Sequence, residues 1–201
     1  MKKILILLLA SLAGSLGVGA APQQASDPQV EKVLVIFKTH LDIGFTDISS
    51  KVEQRYIDYY IPKAIEVARR LREEGGDERY VWTTGAWLVD AYLRQATPEA
   101  AAQLEEAIRR GDIVWNGVPY TVESESMNRA LFEGILRLSQ RLDARFGKHT
   151  SAAKMTDVPG HTRSIVPLLS EAGIGFLHVG TNPAVSVPDV PSVCRWRAPA
   201  S

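Results

Sequence analysis

The sequence predicts an α/β fold in which parallel strands alternate with crossover helices. Short apolar runs alternate with longer segments of helical spacing along residues 33–179, which is the element order of a parallel sheet. The first run, residues 33–37, is apolar at every position, as expected for a strand that is covered on both faces. Each long helical segment stops at a glycine, a common residue at the C-terminus of a helix.

The first half of the pattern runs from the first strand to the third. A helix is predicted over residues 51–74 and stops at Gly75. A second strand at residues 79–83 precedes a short helix at residues 87–94. Thr97 and Pro98 are typical of the N-cap and the first position of a helix that ends at Arg110. The third strand is predicted at residues 112–115, and Trp82, Trp87 and Trp115 are predicted to lie in the core.

The second half continues the alternation. A loop at residues 116–126 leads into a long amphipathic helix at residues 127–146, and the fourth strand covers residues 151–155. A helix at residues 162–172 and a fifth strand at residues 175–179 follow. The pattern fits a (β/α) barrel or a doubly wound sheet. Because the alternation is still running near residue 201, we expect the barrel to be incomplete in this chain.

Residues 1–20 have the three parts of a secretory signal peptide. Lys2 and Lys3 precede an apolar run, and small residues precede a cleavage site near Ala20. The run is shorter than the ~20 residues of a membrane-spanning helix, so we expect a periplasmic or secreted protein without a membrane anchor. Residues 21–31 are predicted to form a polar linker, and residues 32–201 a folded domain.

The composition is that of a globular protein without a charge bias. The chain has 23 Lys and Arg residues and 23 Asp and Glu residues, so its formal net charge is 0. A nucleic-acid partner is therefore not expected, because such a partner requires a basic surface. Cys194 is the single cysteine, which excludes an internal disulfide and predicts a small buried residue.

A polar cluster follows the first strand, where parallel α/β folds place their functional sites. His40 and Asp42 lie two residues apart, so both side chains point the same way if the backbone is extended. An imidazole and a carboxylate on one side can bind a divalent metal, and Gly44 would allow a sharp turn beside them. The alternative is a hydrogen-bonded His–Asp pair that caps the end of the strand.

A second cluster, residues 155–163, begins at the end of the fourth strand. Because the ends of parallel strands converge, Asp157 could lie beside His40 and Asp42 and complete a set of three metal ligands. Alternatively, the Asp157 carboxylate caps the next helix near its free N–H groups. We expect His161 to lie next to the site rather than to bind the metal.

The loop after the third strand carries Tyr120, Glu123 and Glu125. An aromatic ring and carboxylates on a loop that faces a site suit the apolar face and the hydroxyls of a sugar. The alternative is a solvated turn followed by the acidic first turn of the next helix.

Taken in order, these motifs resemble glycoside hydrolase family 38, the metal-dependent α-mannosidases, and in particular a divergent bacterial branch. Residues 40–45 are similar to the family's His-x-Asp-x-Gly-Trp motif, with Phe45 in place of the Trp. Residues 157–161 resemble its Asp-Pro-Phe-Gly-His segment, and residues 114–118 through Glu123 resemble the strand and acidic loop in between. The resemblance covers residues 33–179.

The resemblance implies a metal-dependent retaining glycosidase that acts on glycans, in a barrel related to that of polysaccharide deacetylases. Zn²⁺ or another divalent metal would be held by His40, Asp42 and Asp157, and Asp157 would also be the nucleophile. The general acid and a last histidine ligand are expected beyond residue 201, so the 201-residue chain is expected to be inactive alone. The implied sugar contacts are Phe45, Tyr120, Glu123, Glu125 and His161.

Two other functions fit parts of the sequence. A metal-dependent polysaccharide deacetylase also uses Asp and His at strand ends, but its paired histidines at helical spacing are absent because Ile165 lies four residues after His161. A non-catalytic periplasmic carbohydrate-binding protein would keep the pocket without the chemistry. A further histidine and a carboxylic acid at the site would favour the enzyme. The changed residues beside the expected sugar pocket leave the mannose preference open.

Overall fold

The computed structural model describes residues 31–158, 160–182, 184–186 and 189–198. The predicted signal peptide, residues 1–20, and residues 21–30 of the predicted linker lie outside the described residues. The chain divides into two units, Met1–Val35 and Ile36–Ser201. The described part of the first unit, residues 31–35, contains neither helix nor strand. None of the helices described here is long and apolar enough to cross a membrane.

The second unit is a mixed α/β structure. Its strands are β1 (Phe37–Lys38), β2 (Trp82–Gly85), β3 (Ile113–Asn116), β4 (Ala152–Thr156) and β5 (Phe176–Gly180). Its α-helices are α1 (Ser49–Arg55), α2 (Ile61–Glu73), α3 (Ala86–Gln95), α4 (Pro98–Arg110), α5 (Arg129–Phe146) and α6 (Ile165–Glu171). A π-helix, Tyr56–Tyr60, joins α1 to α2, and a short 3₁₀-helix, Ser124–Ser126, precedes α5.

The strands pair in parallel, as predicted. Strands β1, β2 and β3 form one sheet in that order, and β4 and β5 form a second sheet. Helices α3 and α4 lie between β2 and β3 along the chain, and α6 lies between β4 and β5. The described residues confirm a mixed α/β fold with short parallel sheets, and they do not show a complete barrel.

The side chain of Asn116 bridges the two sheets. Its Nδ2 donates to the carbonyl of Thr84 in β2 at 3.2 Å, and its Oδ1 accepts from the backbone N–H of Lys154 in β4 at 3.4 Å. The backbone N–H of Gly117 also donates to the carbonyl of Ala152 at 2.8 Å. An amide side chain therefore takes the place of regular ladder hydrogen bonds between β3 and β4.

The first strand is shorter and more exposed than the sequence predicts. Only Phe37 and Lys38 pair with β2, and the side chains of residues 33–36 are exposed. A strand buried on both faces requires neighbours around it, whereas β1 is an edge strand among the described residues. The prediction of a strand that is covered on both faces is therefore wrong.

The ends of the helices follow local sequence signals. The Thr97 side chain accepts a hydrogen bond from the backbone N–H of Ala100 at 3.3 Å, and Pro98 begins α4. The left-handed φ of 83° at Gly111 ends that helix, as the sequence predicts. Helix α6 begins at Ile165, three residues later than predicted, and Ser164 precedes it without a side-chain cap.

The core consists of two clusters of buried apolar side chains. The first packs α2, α3 and α4 against β2 and β3, and it contains Trp82 and Trp115 as predicted. Trp87 is only partly buried and lies outside both clusters, so the prediction is wrong for this residue. The second packs α5 and α6 against β4 and includes the fully buried Phe132. Cys194, in contrast, is exposed, so the prediction of a buried cysteine is wrong. It lies in residues 194–198, which form neither helix nor strand that could cover it.

A buried carboxylate joins two helices to the start of β3. Asp112 is 1% exposed, and its Oδ1 accepts from Arg72 Nε at 2.7 Å while its Oδ2 accepts from Arg110 Nε at 2.9 Å. Arg72 belongs to α2 and Arg110 to α4. These charge-assisted hydrogen bonds therefore fasten both helices to the first sheet.

We expect Asp112→Asn to lower the free energy of unfolding by about 2–3 kcal/mol, because it removes the buried carboxylate that pairs with Arg72 and leaves Arg110 with Glu106 as its carboxylate partner. Urea denaturation measures this change. The control is Asp90→Asn, which breaks the more exposed ion pair with Arg94 and should cost below ~1 kcal/mol. Equal losses of stability in the two variants would contradict the role of Asp112.

Candidate functional site

Three chemically active side chains meet at the carboxyl ends of β1 and β4. His40 Nε2 lies 3.4 Å from Asp42 Oδ1 and 3.4 Å from Asp157 Oδ2. One possible ligand atom from each residue lies within 4.8 Å of the other two. His40, Asp42 and Asp157 are called the His–Asp cluster below. Its donors are one imidazole nitrogen and two carboxylate oxygens, a set that suits zinc.

Asp157 is held in an unusual backbone conformation. Its φ is 72°, which lies in the left-handed region that non-glycine residues seldom adopt. Its backbone N–H donates to the carbonyl of Gly180 at 2.9 Å. Asn182 Nδ2 donates to Asp157 Oδ1 at 2.6 Å, so the other oxygen is the one that faces His40. Such strain persists where surrounding contacts hold it, and it often marks a functional residue.

These contacts bear on the alternatives left open by the sequence. Asp157 does not cap α6, because Ser164 occupies the N-cap position and no side chain caps the helix. His40 lies equally close to both carboxylates, so its surroundings are a three-residue cluster rather than a single His–Asp pair. The convergence of the strand ends accounts for this arrangement.

The His–Asp cluster lines a pocket with a cavity volume of about 140 Å³. The side chains of the cluster are partly exposed, by 46% for His40, 35% for Asp42 and 38% for Asp157, so a ligand can reach them. The loop after β3 forms another wall of the pocket and rests on Gly85, where a Cβ atom would overlap the carbonyl of Pro119. Further residues that line the pocket are Thr39, Asn116, Tyr120, Thr121, Lys154 and Thr156.

Of the five predicted sugar contacts, Tyr120 lies on the pocket wall, with 40% of its surface exposed. Phe45 is 87% exposed and is not part of that wall. Glu123 and Glu125 are also exposed and lie outside it. They flank Ser124, which is the inward residue of the 3₁₀-helix, so the two carboxylates turn to solvent.

His161 lies beside the loop after β3 and does not line the pocket. Its Nδ1 is 3.3 Å from Ser124 Oγ, which also accepts from the backbone N–H of Thr162 at 3.1 Å. Burial lowers the pKa of His161 by more than the negative charges of Glu123 and Glu125 raise it, so the ring is neutral at pH 7. His161 therefore joins the segment after Asp157 to the loop after β3.

Three residues at the site were not singled out from the sequence. The Tyr56 hydroxyl, in the π-helix, donates to the carbonyl of His40 at 3.1 Å. Asn182 binds Asp157, and Lys154 lines the pocket. Lys154 carried a usable signal, since a lysine in the middle of an otherwise buried strand is unusual. Tyr56 and Asn182 carried none, because their contacts depend on the tertiary fold.

Comparison with known protein families agrees with the mixed α/β fold. The model of the Glycosyl hydrolases family 38 N-terminal domain matches residues 31–199, which include the His–Asp cluster and every strand described above. No curated protein matches the chain. The family match covers most of the sequence and supports a glycoside hydrolase-like function. The chain therefore belongs to the glycosyl hydrolase family 38 N-terminal domain family.

Proposed function

We propose that this family 38 domain hydrolyses glycosides with retention of configuration, using a divalent metal held by the His–Asp cluster. The observation that carries the proposal is the approach of His40, Asp42 and Asp157 to within 4.8 Å of one another in a pocket. We propose α-mannosides as the first substrates to test. The proposal includes export, on the basis of the signal-peptide pattern in residues 1–20.

The chemistry of the donor set supports zinc. Zinc in proteins is bound by imidazole nitrogen and carboxylate oxygen, and catalytic sites use three protein ligands with an open position. Two carboxylates beside one imidazole repel each other unless a cation lies among them. Zinc bound there would hold sugar hydroxyls in its open positions and so orient and distort the sugar ring.

Asp157 is the proposed nucleophile. A bond forms between one of its carboxylate oxygens and the anomeric carbon while the bond from that carbon to the leaving oxygen breaks. The leaving oxygen takes a proton from a carboxylic acid, and water later releases the sugar from Asp157. Asn182 binds Oδ1 and so fixes the direction of the carboxylate. Neither Glu123 nor Glu125 is assigned as the acid, because both lie outside the pocket wall.

Tyr120 is the proposed sugar platform. Its ring lies on the pocket wall and is 40% exposed, so it can offer an apolar surface to one face of a sugar. Tyr56 supports the His–Asp cluster instead, since its hydroxyl donates to the carbonyl of His40. The two aromatic residues therefore have different roles, one toward the substrate and one toward the cluster.

Removal of zinc should abolish hydrolysis of an activated aryl α-mannoside, and added zinc should restore it. Hydrolysis is measured before dialysis, after dialysis against a chelator and after addition of zinc. The protein is assayed in the form that its host produces, and the 201-residue chain is assayed beside it. Zinc at ~100 times its Kd should also raise the free energy of unfolding by about 2.7 kcal/mol, which thermal melting detects without any activity.

The outcomes separate the parts of the proposal. Hydrolysis that resists the chelator, with no effect of zinc on melting, would contradict the metal site. Cleavage of another aryl glycoside but not of the α-mannoside would contradict the mannoside assignment and leave the glycosidase in place.

A further inference from the structure

A half-buried lysine without an anionic partner lies in the wall of the pocket. Lys154 stands in the middle of β4, and its Nζ donates to Thr156 Oγ1 at 2.9 Å. Among the described residues, no carboxylate lies within ion-pair distance of this ammonium group; the lysines that form ion pairs there are Lys51 and Lys63. Those two lie on helices and are largely exposed, whereas Lys154 is directed into a site.

A second lysine increases the positive charge at this point. Lys38, at the end of β1, is close enough to Lys154 for its positive charge to act on it. Burial, followed by the charge of Lys38, lowers the pKa of Lys154 to about 8. Lys154 is still protonated at pH 7, so two like charges are held together. Such an arrangement is unfavourable unless an anion lies beside it.

The carboxylates of the His–Asp cluster do not supply that anion. Asp42 and Asp157 are directed at His40, each at 3.4 Å, and Asp157 is also bound by Asn182. A metal at the cluster would use the same oxygens. The lysine pair is therefore left to interact with whatever enters the pocket.

We propose that Lys154, with Lys38 near it, forms an anion subsite of this pocket, which binds an acidic group of the glycoside substrate such as a phosphate, sulfate or carboxylate. The subsite rests on the position of Lys154 in the pocket wall without a carboxylate partner, and its assignment to a substrate rests on the proposed glycosidase function. Ammonium groups form short, strong hydrogen bonds with oxyanions. The hydroxyl of Thr39, another residue of the pocket wall, has no partner among the described residues and is a further donor.

The subsite is tested with inorganic phosphate as the probe. Calorimetry is carried out on protein freed of metal by a chelator, so that phosphate cannot bind through a metal ion. Lys154→Met should weaken phosphate binding by about tenfold or more, because it removes a charge-assisted hydrogen bond. Lys38→Met should weaken it in the same direction, because it removes a positive charge close to Lys154. Lys63→Met, at an exposed ion pair on α2, is the matched control and should bind phosphate as the parent does.

Equal phosphate binding by the parent, Lys154→Met and Lys38→Met would overturn the subsite. Lys38 is exposed, so the Lys38→Met variant keeps the test decisive if Lys154→Met fails to fold. Circular dichroism and thermal melting establish which of the variants are folded.

Two aryl glycosides that differ only in a phosphate on the sugar test whether the anion that binds the subsite belongs to the substrate. The parent should have a higher kcat/KM for the phosphorylated substrate, and Lys154→Met should lose that preference by about tenfold or more. A parent that binds inorganic phosphate through the lysines but shows no such preference would overturn the substrate assignment. Hydrolysis of neither substrate would overturn the proposed function, whereas the phosphate measurements would still decide the subsite.

Discussion

Replacement of Asp157 by asparagine is expected to lower kcat for glycoside hydrolysis by about 10³-fold or more. The variant keeps the shape of the side chain but replaces the carboxylate that is proposed as the nucleophile with a neutral amide. It also removes one charge from the His–Asp cluster. Steady-state kinetics measures the loss, with an activated aryl glycoside as the substrate and the protein in the form that its host produces.

The matched control is Asp77→Asn, which changes an exposed aspartate outside the pocket and should leave kcat unchanged. A fluorinated glycoside that traps the covalent intermediate should label a peptide that contains Asp157. Labelling of Glu123 or Glu125 instead would contradict the assignment of the nucleophile.

The backbone of Asp157 gives the nucleophile assignment a physical basis beyond its position in a motif. A left-handed φ is unfavourable for most non-glycine residues and less so for Asp, and the chain keeps it here with two hydrogen bonds, to Gly180 and from Asn182. The result is a carboxylate with one oxygen fixed and the other directed at His40. Such preorganisation is what an attacking group requires.

Much of the fold could be predicted because its signals are local. Thr97, Pro98 and Gly111 define α4 through capping and backbone geometry within a few residues, and the structure has the helix at Pro98–Arg110. The parallel pairing follows from the alternation of strands and helices, which requires crossover connections. The first strand could not be predicted in this way, because an apolar run alone does not say how many neighbours cover it.

The candidate site could be predicted in part, for a similar reason. Strand ends of a parallel sheet converge, so the position of Asp157 after β4 was enough to expect it near His40 and Asp42. Asn182 and Tyr56 reach the cluster from segments 25 and 16 residues away from their partners, and nothing in their local sequence marks them. Residues that orient a site are thus harder to predict than the ones that they orient.

Loss of the imidazole of His40 is expected to weaken zinc binding by about 10²-fold or more. Removal of a group that only supports a metal ligand costs about 10–100-fold in affinity, so removal of a ligand should cost at least as much. The Nε2 of His40 is the one nitrogen of the cluster and lies 3.4 Å from an oxygen of each carboxylate. Without it, the two carboxylates would hold a zinc ion with oxygen donors alone.

Titration of His40→Ala with zinc, against a competing chelator of known affinity, measures the loss. His149→Ala is the matched control, because His149 is exposed and lies outside the cluster. Asp42→Asn should weaken zinc binding in the same direction as His40→Ala, since it removes a charged ligand oxygen. Parent-like zinc affinity in both His40→Ala and Asp42→Asn would show that the metal, if one is bound, lies elsewhere. Loss of affinity in those two variants but not in His149→Ala would place zinc at the carboxyl ends of β1 and β4, beside the oxygen proposed to attack the sugar.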